Sequence, residues 1–498
     1  MRTHKLVFLT LVILVLLFQG CATFEMRQFA AVSQRPEEYE RFFKYLDKAV
    51  DKAGVRNAST FPVPGFPYLR TDRFLQGIRD RIENEAQEQV WVQWMLQHNL
   101  DAREKEIKNL PDSAVGDLAA RLGEPSDRNA LIEKVKSYSK KSLSHDQNKT
   151  DFYDALKSAQ RIPDEYSIVM RTFGLYPLWA PPIAYVTDGV YDEFRQWHKT
   201  PPGDLEIQGN LKTYVPLLNV KLSGQDVSRI FGSSKRNALG VPALSSQEIQ
   251  KLVRAYAPII YQDVVADYDD IGQVFWNDRH VSINPRKPAI YYYITYAFFK
   301  SEPVLQLNYV FWYLGRDGPN PPWIERGSLD GITFRITFDS EGKPFMVDIQ
   351  NNCGCYYFSV PHKERVKRII PQTLAIDPFV PAWLPQSFPE KRLKLRINSG
   401  WHQVQNIDTG EIPLKALAYE LVPYASLEAL QHGDGRTESI FDPTGIAKDS
   451  PRIEPLIFFP SGIHDIGSMR QRGHHAIKLV GRAHFDDPEL FDKSFEFN

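Results

Sequence analysis

The chain has 498 residues, 43% hydrophobic and 24% charged, and Lys+Arg 60 against Asp+Glu 61 leaves a net charge of -1. This is the composition of a globular protein, which excludes a mainly disordered or collagen-like chain. No basic excess marks a nucleic-acid partner, and Gly 29 and Pro 35 predict many loops instead of a long coiled coil.

The N-terminus speaks to location. Arg2 and Lys5 precede an apolar run from Leu6 to Phe18, broken only by Thr10, and Gln19-Gly20-Cys21 follows. The run has the length of a signal h-region and is short for a spanning helix. Leu17-Phe18-Gln19-Gly20-Cys21 resembles the lipobox of bacterial lipoproteins. Cleavage would leave Cys21 as a lipidated first residue, anchored in a lipid bilayer by its acyl chains. By the same resemblance, Ala22 after the cysteine favours the outer membrane, facing the periplasm. The mature chain then keeps two further cysteines, Cys353 and Cys355, so its core and not a disulfide framework must hold the fold.

The next stretch reads as helical. Tyr39, Phe42, Phe43, Leu46 and Val50 recur at helical spacing, with Gly54 as a stop. Asp72 precedes a stripe from Leu75 through Ile78, Ile82, Ala86 and Val90 to Trp94, which predicts one helix. Further helices are predicted over 114–122, 129–139 and 151–170. Their apolar faces suit packing on one another or on the second part of the chain, and less readily binding of a partner. From Tyr166 to Tyr185 the apolar character is interrupted by Arg171, Gly174, Pro177, Pro181 and Pro182, which predicts a buried irregular connection and no membrane span. A short helix over 190–197 follows, and Ser245 with Glu248 forms a capping box for another.

After Pro258 the pattern turns to strands. Ala289–Phe299, Val304–Leu314 and Ile332–Phe338 are rich in aromatic and β-branched residues. Asp339-Ser340-Glu341-Gly342 is a turn signal, and Phe345, Val347 and Ile349 resume the alternation, which predicts a β-hairpin. Cys355–Val360, Leu393–Ile397 and His475–Val480 are predicted as further strands, and the prolines from Pro371 to Pro389 as an extended wrap. The expected architecture is α+β: a helical N-terminal region packed against a mostly antiparallel β-rich C-terminal module. It divides into a signal peptide over 1–20, a helical region over 21–170, a connecting region over 171–257, a β-rich core over 258–370, and a Pro-rich wrap with an α/β extension over 371–498.

Several blocks carry a resemblance: Tyr256-Ala257-Pro258, Asp269-Asp270-Ile271-Gly272, Leu305 to Trp312, Leu329-Asp330-Gly331-Ile332-Thr333, Cys353-Gly354-Cys355-Tyr356, Gly473-His474-His475 and Gly481 to Asp487. Over roughly residues 250–498 they resemble an uncharacterised family of bacterial lipoproteins. The resemblance implies an envelope protein and lends no catalytic role to any residue.

Cys353-Gly354-Cys355 is the strongest local feature. On an extended strand both sulfurs would face one side. They could hold a soft metal such as zinc with histidine completion, supply a nucleophile activated by histidine, form a redox pair, or be an inert disulfide or two buried thiols. Eight of the 12 histidines lie from His280 onward. His475 and His484 are the expected partners, as catalytic residues or as metal ligands, and Asp486 could orient His484. No H-E-x-x-H and no G-x-S-x-G occurs. Asp263, Asp267, Asp269 and Asp270 suit a turn-forming acidic loop better than a calcium site, and Asp330-Gly331 is first a turn signal. The aromatic run from Tyr291 to Phe299 suits sheet packing better than a glycan or peptide groove. Two classes follow: a binding or structural envelope component that engages another envelope protein or the cell wall, and an envelope hydrolase built on Cys353 or Cys355.

Overall fold

The computed structural model describes residues 35–498. Cys21, the expected lipidation site, and the expected signal segment over 1–20 lie outside them. The chain forms two compact units. The first takes residues up to Arg56 and Thr60–Ile162, and the second takes Asn57–Ser59 and Pro163–Asn498.

The first unit is helical, with one small hairpin of β1 (Phe61–Val63) and β2 (Phe66–Thr71). The helix Glu37–Ala53 buries Phe42, Phe43, Leu46 and Val50 and stops at Gly54, whose φ of 65° is the left-handed turn that glycine takes without strain. Asp72 caps its helix by accepting from the Leu75 amide. The stripe from Leu75 to Trp94, however, is not one helix. It breaks after Arg81 and restarts at Glu85, where the Asn84 side chain caps the new helix Glu85–Asn109. The competing cap at Asn84 outweighs the continuous apolar period. Likewise 151–170 divides into Phe152–Ala159 and Ile168–Phe173, and Pro163 lies in the gap.

The second unit is built on a ten-stranded sheet. In chain order the strands are β3 (Asn210–Pro216), β4 (Ile259–Val264), the separate hairpin β5 (Gln273–Asn277) and β6 (His280–Asn284), β7 (Ala289–Phe299), β8 (Glu302–Arg316), β9 (Gly327–Phe338), β10 (Pro344–Asn351), β11 (Phe358–Pro361), β12 (Val366–Ile369), which pairs outside this sheet, β13 (Arg392–Ile397), β14 (Val404–Gly410) and β15 (Leu417–Pro423). The order across the sheet is β11-β10-β9-β8-β7-β15-β3-β4-β13-β14. From β7 to β11 every pair is antiparallel, and the β9–β10 turn falls at Asp339–Gly342 as expected. β15 joins the two halves through parallel pairs with β7 and β3, and β13 runs parallel to β4.

Both faces of the central strands are covered. Leu305, Leu307, Tyr309 and Phe311 of β8 share a core with the helices Gly224–Ser233 and Ser246–Tyr256 and with Phe194, near the end of the helix Tyr176–Lys199. Val310 and Trp312 face a second core with Tyr424 and Phe441. The polar members of β9 are therefore buried too. Arg335 is held by Asp348 on β10, with Nε 2.9 Å from Oδ1, and lies over the Phe485 ring. The capping box at Ser245 and Glu248 forms as expected.

Three sequence expectations fail here. The segment after Gly174 is not an irregular buried connection. It is the 24-residue helix Tyr176–Lys199, with Pro181 and Pro182 inside it and half of the residues of its first half exposed. Each proline removes one hydrogen bond and crowds the turn before it, and the helix continues on the bonds around it. Cys355 is not on a strand; both cysteines lie in the turn between β10 and β11. His475–Val480 is irregular, with a single bridge from Ala476 to His484. Among the described residues no helix is long and apolar enough to cross a membrane.

Candidate functional site

The turn after β10 sets the geometry of the thiols. Gly354 has φ 93°, and a Cβ there would lie 2.3 Å from the Ala476 carbonyl oxygen, so only glycine fits. The turn folds Cys355 back over Cys353: the Cys355 backbone N–H donates to Cys353 Sγ at 3.4 Å. The Cys355 thiol also hydrogen-bonds to the Cys353 sulfur, which lowers the Cys353 pKa, and Arg316 adds to that effect. The same contact raises Cys355, together with its burial. The contact between the sulfurs thus favours the thiolate at Cys353 and the thiol at Cys355. Both are free thiols.

The two cysteines line a cavity of about 280 Å3. This is close to the lower bound of about 300 Å3 for small-molecule sites. Its walls are largely apolar: Val190 from the helix Tyr176–Lys199, Ile324, Phe458, Ile463, Ile466 and Leu479. The charged lining residues are Glu325, Lys478 and Glu454. Burial pushes Glu454 up to about 8, with the Cys353 sulfur and Glu325 contributing, so its carboxyl carries a proton at neutral pH. Gly467 makes room for that carboxyl, since a Cβ there would sit 1.6 Å from Oε2. Lys478 is lowered to about 8 by burial.

Behind the thiols lies a buried ionic chain. Arg316 at the end of β8 donates from Nε to Asp330 Oδ2 at 2.9 Å, from Nη2 to Asp330 Oδ1 at 3.0 Å, and from Nη1 to Glu325 Oε2 at 2.6 Å. Glu325 also accepts from Trp401 Nε1 at 3.1 Å and from the Tyr356 hydroxyl. On the far side of Asp330 stands His402, with Nδ1 at 2.7 Å from Asp330 Oδ2 and Nε2 at 3.1 Å from Asp269 Oδ1. Its ring stacks on Tyr313 at 3.9 Å. Burial alone would lower His402, but its two carboxylates outweigh burial and raise it. Burial alone would raise Asp330, but Arg316 and His402 hold it below the usual carboxylate range. The chain is doubly anchored and screened from water, and this fixes Arg316 behind Cys353.

The residues expected from sequence divide. Cys353 and Cys355 share the cavity. His475 is buried, its ring edge-on to Phe485, and its neighbours Ala476 and Ile477 line the cavity while it does not. Neither sulfur has a hydrogen bond to an imidazole among the described residues. His484 Nε2 lies 3.3 Å from Asp164 Oδ1, a carboxylate that the sequence did not single out. Among the described residues no three His, Cys, Asp or Glu side chains are placed to hold a metal ion. Sequence reasoning missed Arg316, Glu325 and Glu454. None of them belongs to a motif, and only their burial gives them away.

Comparison with protein-family models, curated proteins and solved structures finds no match to this chain.

Proposed function

We propose that this chain is a lipid-anchored cell-envelope protein whose β-rich unit binds an apolar, chain-like ligand beside Cys353 and acts on it as a thiol-dependent hydrolase. The observation that carries this reading is the convergence of a pKa-lowered thiol and a protonated carboxyl on one apolar cavity. Paired groups pushed in opposite directions are the usual mark of assigned acid–base roles. The Cys353 thiolate adds to the carbonyl carbon of an acyl ester. The C–O bond breaks as Glu454 gives its proton to the departing alcohol. Water then cleaves the thioester, its hydroxyl going to the acyl carbon and its other proton to Glu454, which releases the acid and restores the thiolate. Arg316 positions and stabilises the thiolate from behind.

The test is intact-mass analysis after brief exposure of the full chain to a medium-chain p-nitrophenyl ester. The reading expects one acyl adduct, mapped to Cys353, that is absent in Cys353→Ser and accumulates in Glu454→Gln. An adduct on Cys355 alone, or none, counts against it. A second reading, a non-catalytic component that holds an apolar ligand or engages another envelope component, is favoured by the lack, among the described residues, of an imidazole hydrogen bond to either sulfur. It expects ligand retention that survives Cys353→Ser and falls with the cavity-filling Val190→Trp.

A further inference from the structure

From Thr172 to Thr187 the chain carries no charged residue. That stretch forms the end of the helix Ile168–Phe173 and the first half of the helix Tyr176–Lys199, and much of it faces outward. Phe173 is 77% exposed, Leu178 74% and Tyr185 82%, and beside them Leu456 is 80% exposed. These residues belong to one surface. A Cβ on Gly174 would meet Pro460 Cα at 2.6 Å, the Ser167 amide donates to the Gly462 carbonyl at 2.7 Å, and Trp179 meets Phe458 edge-on at 6.1 Å. The nearby cation is turned inward: Arg171 donates to the Ser461 and Gly481 carbonyls, both at 2.7 Å.

The surface is continuous with the cavity. Val186, 60% exposed, and Phe458, which touches Trp179, both line it. Trp323, 67% exposed, lies between the lining residues Pro322 and Ile324. An apolar patch of this extent on a folded surface marks an interaction site.

We propose that this surface seats on a lipid bilayer, so that the cavity beside Cys353 takes an acyl chain from the membrane without exposing it to water. This rests on the cavity reading above. Three observations favour a bilayer over a protein as the occupant. The patch includes Tyr185, with Tyr176 and Trp179 half-buried on the same helix, aromatic side chains suited to the headgroup level. It runs without a break into an apolar cavity. The Leu6–Cys21 segment has the pattern of a lipid anchor, and tethering raises the local concentration of a weakly inserting surface.

The test uses the full chain in vesicles of phosphatidylethanolamine and phosphatidylglycerol, 3:1 as a choice of composition of about bacterial charge, doped with lipid brominated in the acyl chain. Tryptophan quenching is read in the wild type, in Trp179→Phe and in Leu178→Asp/Leu456→Asp. The proposal expects quenching that drops by about half or more in Trp179→Phe and is lost in the double variant, although the chain still pellets with the vesicles. Quenching unchanged by Trp179→Phe overturns it. So does an unquenched Trp179 in a chain that sediments as a dimer, which would assign the patch to a second copy. Ligand content measured in parallel separates the two claims: quenching with no effect of Val190→Trp on bound lipid keeps the docking surface and removes the cavity reading.

Discussion

Arg316 holds Asp330 by two parallel hydrogen bonds of 2.9 and 3.0 Å, and neither side chain reaches solvent. A bidentate pair of this kind fixes the guanidinium plane as well as its charge. Through its remaining bond to Glu325, Arg316 ties the turn that carries the thiols to β9 and to His402.

Breaking this pair should be costly. Asp330→Asn leaves Arg316 with one buried carboxylate partner and His402 with one. We expect a loss of about 3–5 kcal/mol, the cost of leaving a buried charge uncompensated. Urea denaturation of the full chain checks it. A loss under about 1 kcal/mol would mean that water reaches the network.

Glu454 should make stability fall as the pH rises. Its folded pKa, about 8, stands above the ordinary glutamate value of 4.5, so the folded state binds the proton more tightly. The stabilisation is complete below 4.5 and is lost as the pH climbs through 8, at up to about 1.4 kcal/mol per pH unit. Glu454→Gln should flatten the urea midpoint across this window. An unchanged slope would place the proton elsewhere.

His475 acts in the opposite direction. Burial, with Arg470 adding to it, lowers its pKa to about 3. The neutral ring therefore contributes stability above the ordinary value of 6.5, and this is lost as the pH falls from there towards 3. His475→Gln should remove about one proton's worth of the acid-side slope. The comparison is of unfolding midpoints between pH 6.5 and 4, and parallel curves for the two chains would contradict the assignment.

Gly354→Ala should disturb the thiol turn. The positive φ and the Ala476 oxygen both oppose a side chain, and backbone strain alone costs about 1–3 kcal/mol. The expected result is a lower thermal midpoint together with loss of the difference in reactivity between the two cysteines. Retention of that difference would show that the turn does not create it.

The sequence made the hairpin at Asp339–Gly342 legible because a period of two on both sides of a turn admits few other structures. The Ser245–Glu248 cap and the stop at Gly54 were legible for the same reason: each is a local device with its own hydrogen-bond logic. Of the helix Tyr176–Lys199 only the stretch over 190–197 was legible, because three prolines argue against a helix in the part before it; Tyr191 and Phe194 pack on the second unit's core. For the site, Cys353 and Cys355 were evident, but their common cavity arises from a turn and not from a strand. Asp330, read as a turn residue, and His402, one histidine among several, are separated by 72 residues and meet only through the β-sheet. Glu454 has no local signal, since its chemistry comes from burial and from Cys353 and Glu325, both distant in the chain.

The claim that Cys353 is the reactive thiol is tested most directly by site-resolved alkylation. The full chain is treated with iodoacetamide from pH 6 to 10, and the rate at each cysteine is read by peptide mass mapping. The account predicts that Cys353 reacts with a midpoint below the ordinary cysteine value of about 8.5 and that Cys355 reacts above it. A Cys355 that reacts first, or two cysteines with one common midpoint, would contradict it.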